Sequence, residues 1–299
     1  MHPPGVKWIS RELWEDLAAA DTNAHRLAND RDGWLDRYGD YVMWSGVSPV
    51  SLAAVISGAR ESFGFVPLGV WQRQLVRASN DQRPAELVHG HDPGEFTVRE
   101  GGVAYAVELA GGYSTGLFLD QRGNRQLLRE RRPGRLLNLF AYTCSFTVCA
   151  AAGGAETCSV DAAKRVLGCG RENLQRNGID PADGHRFLAD DAMKVVPRLA
   201  KRGETFDLIV LDPPTFGRAE GRVFQIEKDL SGLVRDCFEI LVPGGWLLVS
   251  CNYAEWDAHD LRDVCDESLG DARFAMEAGQ LPTEIPHGAV SWRLQRTGR

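Results

Sequence analysis

GRLLNLFAYTCSFTVCAAAGGAETCSVD, residues 134–161, decides how this chain folds. It opens on a short apolar run, RLLNLFA (135–141). It then passes through FTVCAAAGG (146–154), a stretch of helical character, and closes on a second short run, ETCSVDA (156–162). Two strands joined by a helix pair in parallel, because only a crossover brings the chain back to the same end of the sheet. The alternation continues through AKRVLGCGRENLQRNG (163–178), HRFLADD (185–191), AMKVVPRLAKRG (192–203), FDLIVLDPP (206–214), LSGLVRDCFEILVPGG (230–245) and WLLVSCN (246–252). Such a string implies an α/β fold with a doubly wound, mostly parallel sheet. The end of the chain differs: RFAMEAG (273–279) and VSWRLQR (290–296) are separated by Pro, Gly and His rather than by a helix. They suit an antiparallel hairpin that closes the sheet.

Upstream the texture changes, and we expect a small N-terminal α+β module over 1–115 and the sheet domain over 116–299. RELWEDLAAADTNAHRLAND (11–30) carries a helical pattern, and SLAAVISGARESFGFV (51–66) an apolar one. FTVRE (96–100) and VAYAVEL (103–109) are period-2 runs joined by Gly101-Gly102, which reads as a β-hairpin. His89 and His91 flank one glycine in a polar loop, with no carboxylate or cysteine at metal-ligand spacing, so they are expected in solvent and no metal is expected. Trp44, Trp71 and Trp256 suit either the core or its rim.

A chain of 299 residues with 43% hydrophobic composition has room for one large core and a smaller one. No apolar run approaches the length of a membrane span, and MHPPGVKWISRELWEDL has neither the basic nor the apolar region of a leader. The seven cysteines include no CxxC pair, which points to a reduced, cytoplasmic protein without a disulfide framework or zinc site. The net charge of −7 sits awkwardly with nucleic acid, whose phosphates need Lys and Arg. The run from Gln121 to Arg135, however, gathers six arginines against one glutamate, as either a solvated helix face or an RNA track.

A doubly wound sheet places its ligand beyond the C-terminal ends of its strands, so the residues just after each strand carry the chemistry. After the first strand, Asn138 to Ser145 form a loop that must pass close to a ligand. It holds no GxGxxG, which leaves a dinucleotide poorly supported. After the second strand stands Asp161, whose carboxylate suits either a ribose diol or the N-cap of a helix starting at Ala162. After the third come Asp190 and Asp191, where a carboxylate can accept from an adenine amino group. Taken in order, these strand ends describe an adenosine pocket. The fourth strand ends in Asp212-Pro213-Pro214-Thr215-Phe216. Two prolines there force a rigid turn, which is either a plain strand exit or a wall on which a planar base stacks beside Asp212.

The segments TGLFLDQRGNR (115–125), LNLFAYTCSFTV (137–148), SVDAAK (159–164), NGID (177–180), DPPTF (212–216) and VPGGWLLVSCN (242–252) resemble the large-subunit ribosomal RNA methyltransferases. That family includes the 23S cytosine-C5 methyltransferase I and the guanine-N7 half, K, of the fused K/L enzyme. The likeness runs from about Asp36 to the C-terminus. It implies a Rossmann-like class I methyltransferase fold with a seven-stranded sheet, S-adenosyl-L-methionine as cofactor, and RNA as partner. Carried over residue by residue, Asp120, Arg122 and Arg125, with Asn138, Phe140 and Tyr142, would hold the methionine part of the cofactor. An arginine facing its carboxylate makes independent sense as a charge-assisted pair. Asp161 would take the ribose and Asp191 the adenine, with Asp212, Pro213 and Pro214 beside the transferred methyl. The chain departs from the family at Cys144, where glycine is usual and permits positive φ. By the same resemblance it is expected to begin with the inserted hairpin module, without the RNA-binding domain of the cytosine enzyme.

Cys251 bears on the reaction itself. Methylating C5 of a pyrimidine requires a nucleophile at C6, and a thiolate is the usual one. Ser250-Cys251-Asn252 resembles the nucleophile motif of pyrimidine-C5 RNA methyltransferases, and the guanine-N7 homologue has asparagine at that place. The other reading is a small residue closing a buried strand. Three functions therefore stay open: a cytosine-C5 enzyme acting through Cys251, a guanine enzyme with Cys251 structural, and a small-molecule methyltransferase or a cofactor-binding interaction protein recruited from the same family. Tyr253 and Trp256 follow closely enough to line a base pocket.

Overall fold

A computed structural model describes residues 6–75, 84–112, 114–219 and 222–298. The first five residues of the N-terminal stretch read above lie outside the described ones. The chain divides into two compact units, Met1–Leu119 with Pro282–Pro286, and Asp120–Leu281 with His287–Arg299.

The second unit carries one seven-stranded sheet. Its strands are β1 (Arg135–Leu139), β2 (Glu156–Asp161), β3 (His185–Ala189), β4 (Phe206–Leu211), β5 (Leu241–Cys251), β6 (Phe274–Ala278) and β7 (Val290–Arg296). Their spatial order is β3-β2-β1-β4-β5-β7-β6. The first five run parallel, while β7 pairs antiparallel with both β5 and β6. The expected parallel sheet with a closing hairpin is what forms. Helices α1 (Arg122–Arg131), α2 (Ser145–Ala151), α3 (Lys164–Arg176), α4 (Ala192–Lys201), α5 (Ile226–Glu239) and α6 (Ala258–Leu269) connect or flank the strands. Leu136, Leu137 and Leu139 of β1 are fully buried, as a central strand covered on both faces requires. Each such leucine contributes about 1.5–3 kcal/mol on leaving water. Strand order reverses between β1 and β4, which makes the ends of those two strands the switch point where a ligand is taken.

The first unit departs from its expected texture. The helix read over 11–30 stops at Ala19, Asp21 takes φ 48, and Ala24–Asp30 is a strand. Its buried Arg26 is tolerated because Nε reaches Asp36 Oδ1 at 3.0 Å. Lys7–Trp8, Ala24–Asp30, Gly33–Tyr38, Tyr41–Gly46, Gly69–Gln74 and Glu86–Gly90 form a six-stranded sheet. The one parallel pair, Tyr41–Gly46 with Gly69–Gln74, is joined through helix Leu52–Phe63, which Ser51 caps. The hairpin Glu95–Glu100 and Val103–Glu108 forms as expected, its turn using Gly101 and Gly102 at φ 58 and 80. Trp44 and Trp71 are buried, while His89 and His91 are exposed, His91 Nε2 lying 2.9 Å from Tyr41 Oη. No three His, Cys, Asp or Glu side chains gather as for a metal, and no helix is long and apolar enough to cross a membrane, among the described residues.

Candidate functional site

The loop after β1 is shorter than the sequence suggested. Asn138 belongs to β1, and its Nδ2 donates to Thr147 Oγ1 at 3.0 Å, which in turn lies 2.7 Å from Ser159 Oγ. Its amide therefore ties β1 to α2 and β2. The ligand-side loop is Phe140–Cys144, and Phe140, Tyr142 and Cys144 take φ 54, 49 and 63. Three non-glycine residues in the left-handed region cost about 1–2 kcal/mol each, strain that persists where a site needs a particular backbone. Phe140 packs on Phe224, ring centroids 5.1 Å apart.

Cys144 is fully buried against Ala141 and Leu167. A Cβ at Gly170 would lie 2.4 Å from its Sγ. The side chain thus occupies space on α3 that exists only because residue 170 is glycine, and the departure from the family pattern is absorbed there. Burial pushes its thiol up to about 12.

Asp161, at the end of β2, is not the N-cap of a helix from Ala162, because α3 begins at Lys164 with Ala163 as N-cap. Its Oδ2 accepts from Tyr142 N at 2.9 Å and its Oδ1 from Ala163 N at 2.8 Å. The carboxylate is therefore held between the two loops, with lone pairs still available. Asp190 is turned to Arg198, which holds its carboxyl below the usual range. Asp191 caps α4, its Oδ1 accepting from Met193 N at 3.0 Å. Its Oδ2 is buried without a hydrogen-bond partner, in a residue 8% exposed. A buried carboxylate oxygen with no donor is costly and calls for one. An adenine amino group is such a donor, so this residue fits an adenosine-bearing cofactor. Asp191→Ala is expected to weaken S-adenosylmethionine binding about tenfold, by calorimetry, and to destabilise the chain by about 1 kcal/mol through the lost cap.

Beyond β4, Asp212 is followed by a buried Pro213 and an exposed Pro214, so only the second proline offers a wall. Thr215 Oγ1 donates to Asn252 O at 3.5 Å, tying this turn to the end of β5. Burial pushes the Asp212 carboxyl up to about 6; the Asp120 carboxylate adds to this, and the Ser250 hydroxyl and Arg125 guanidinium oppose it. Asp120 Oδ2 accepts from Ala289 N at 2.9 Å. Arg125 is buried, with Nη1 3.4 Å from Ser145 Oγ, and Arg122 is half-buried on the same helix. Cys251 is 1% exposed, and its Sγ accepts from Tyr253 N at 3.3 Å. Burial pushes its thiol up to about 11 and the Asp212 carboxylate adds to this, against the Tyr253 amide. Tyr253 donates from Oη to Glu227 Oε1 at 2.8 Å and meets Trp256 edge-on at 5.6 Å.

Much of the arginine run is committed to packing. The Arg131 guanidinium lies 4.0 Å over Trp246, and Arg135 lies over Phe206 while donating to Thr205 O at 2.7 Å. What sequence reasoning missed is the set of buried amides beside the site, Gln121 and Asn124, which no motif had singled out beyond their place in FLDQRGNR.

A family model of S-adenosylmethionine-dependent methyltransferases matches residues 72–283. The chain belongs to this family. Methyltransferase relatives include the ribosomal RNA large subunit methyltransferase I of Aeromonas hydrophila, 37% identical over 81% of this chain and 63% of that one. Another is the ribosomal RNA large subunit methyltransferase K of Neisseria meningitidis, 33% identical over 86% of this chain and 74% of that one. The chain spans about half to two thirds of the length of the first curated relatives it matches. Among solved methyltransferases, SMU.776, in complex with SAH, superposes with a TM-score of 0.82 at 27% identity, over 95% of this chain and 78% of that one.

Proposed function

We propose that this chain methylates a base of large-subunit ribosomal RNA with S-adenosylmethionine as donor, at C5 of a cytosine attacked through Cys251. The relatives named above act on large-subunit RNA, which supports the substrate class. Asp161 and Asp191 would hold the ribose and adenine, and Asp120, Arg122, Arg125, Phe140 and Tyr142 the methionine part. When bound, the cofactor supplies the methyl group.

One observation carries the finer reading: Cys251 ends β5 and Asp212 directly follows β4, the neighbouring parallel strand, whose Leu211 pairs with Val249 two positions before Cys251. In the reaction, the Cys251 thiol first gives its proton to water; the thiolate Sγ then forms a bond to C6 and the electron pair moves to C5, which takes the methyl group. The C5 proton then passes to a base and the Sγ–C6 bond breaks, regenerating the thiolate. Asp212, with its carboxyl near 6, is mostly ionised at neutral pH and would serve as that base. The Tyr253 amide stabilises the thiolate form of Cys251. A second reading, guanine methylation with Cys251 structural, is favoured by the depth of that thiol in the core and its high proton affinity.

RNA carrying 5-fluorocytidine separates the two, because fluorine at C5 cannot leave as a proton and the adduct is trapped. We expect a covalent protein–RNA species that survives denaturation and is missing from Cys251→Ala. Methyl label recovered on guanine, undiminished in Cys251→Ala, would replace the first reading with the second. Cofactor binding without any labelled RNA would transfer the activity to a small molecule.

A further inference from the structure

Glu86–Gly90 is the outer strand of the sheet in the first unit. It pairs with Gly69–Gln74 on one side and with no strand on the other, among the described residues. All five of its residues are exposed, although a strand on the face of a core buries every second one. Leu87 and Val88 stand in solvent there, and so do Val66 and Leu68, just before the neighbouring strand. These are four of the seven large exposed hydrophobic side chains among the described residues, and they fall at one sheet edge. Edge strands that stay solitary are shielded by Lys or Pro, and ELVHG holds neither. An open edge with clustered apolar side chains is a place where another chain is taken.

The polar residues of the strand say which chain. The ladder pairs Val70 with His89 and Trp71 with Leu87, so Val88 is an extra residue in a bulge. Glu86 lies opposite Gln72 and His89 opposite Val70, and Val70 and Gln72, two apart, share a face of the sheet. The bulge therefore sets Glu86 and His89 on one face. Neither has a hydrogen-bond or ion-pair partner among the described residues, whereas His91 Nε2 already lies 2.9 Å from Tyr41 Oη. Along the strand the order is acid, apolar, apolar, base. A two-fold axis through the middle of that order, perpendicular to the sheet, makes it complementary to itself. Glu86 then meets His89 of the second copy, Leu87 meets its Val88, and every residue keeps its face. An imidazole N–H donates to a carboxylate whether the ring is neutral or charged. Nucleic acid suits this edge poorly, because the strand offers a carboxylate and no Lys or Arg to phosphate.

We propose that this edge is the interface of a symmetric dimer of the chain, centred between Leu87 and Val88 and fixed in register by Glu86 on His89. Side chains hold it rather than a continuous ladder, because a bulge interrupts main-chain pairing. The proposal stands apart from the methyl transfer proposed above.

Sedimentation equilibrium of the full chain tests it. One short strand with two flanking side chains makes a small interface, so a dissociation constant of about 1–100 µM is expected. Val88→Asp places a charge at the centre and should raise that constant at least about tenfold. Glu86→Lys and His89→Asp each remove the pair, and each should raise it about three- to tenfold. The double variant, Glu86→Lys with His89→Asp, restores opposite charges across the axis and should bring the constant back to within about threefold of the unmodified chain. All three positions are exposed, so circular dichroism should show folded chains throughout. A chain still monomeric at about 500 µM would overturn the proposal. So would a dimer indifferent to Val88→Asp, or a double variant no tighter than either single one.

Discussion

Asp212→Asn is expected to give a chain that is harder to unfold and at least about a hundredfold slower in methyl transfer. Burial raises the Asp212 carboxyl to about 6, so the folded chain holds this proton more tightly than the unfolded one does. A group raised in this way contributes stability that is complete below its unfolded value, near 4, and lost as the pH climbs through about 6. At neutral pH the ionised side chain therefore opposes folding by about 1–3 kcal/mol. Asparagine removes the charge and keeps the shape. Thermal melts at pH 7.5 should show the variant above the unmodified chain by about 2–8 °C, with the gap closing toward pH 4. The same change would remove the proposed proton acceptor, and general-base catalysis is worth about a hundredfold to ten-thousandfold. The proposed role would also have the unmodified chain lose activity below about pH 6, where the carboxylate takes its proton. A variant less stable at pH 7.5, or one that keeps its rate, would leave Asp212 without that role.

That a carboxylate stands after β4 was legible from FDLIVLDPP, because an apolar strand that ends in Asp and two prolines places the carboxylate at the C-terminal end of the sheet. The same logic located Asp161 and Asp191, since position after a strand is a local property. What each carboxylate does there was less legible. Asp161 accepts from Tyr142 N nineteen positions upstream, and the unpaired oxygen of Asp191 follows from what surrounds it rather than from its neighbours in sequence. The pair Gln121 and Ser250, 129 positions apart, lay beyond any spacing argument. The first unit was misread for another reason. AHRLAND carries polar residues within a strand that is buried at its first five positions, so neither alternation nor a continuous apolar run marks it. Arg26 is admitted by its pairing with Asp36 on the next strand, a tertiary fact. Gly39-Asp40 between GWLDRY and YVMWSG is a two-residue turn signal that marks this hairpin in the sequence.

Gly170→Ala is expected to destabilise the chain, and Cys144→Gly to rescue it. In an open helix the change from glycine to alanine stabilises by about 1 kcal/mol. Here the new Cβ would lie 2.4 Å from Cys144 Sγ and 2.7 Å from Cys144 Cβ. The cysteine cannot swing away easily, since it is fully buried and its backbone is held at φ 63. Overpacking of this kind costs about 1–3 kcal/mol beyond the propensity gain, which should lower the melting temperature by several degrees. Cys144→Gly alone relieves about 1–2 kcal/mol of left-handed strain but opens a cavity against Leu167, so its net effect should be small. In the double variant the alanine methyl enters the space vacated by sulfur, and stability should return to that of the unmodified chain or above it. The coupling energy in the cycle, about 2 kcal/mol, is then the interaction between these two positions and nothing else. Because residue 144 opens α2 beside the loop of the candidate cofactor site, affinity for S-adenosylmethionine should fall and recover along with stability. A double variant no more stable than Gly170→Ala would show that Cys144 is not what the methyl meets, since Phe187, at 3.5 Å, stands in ordinary contact with it.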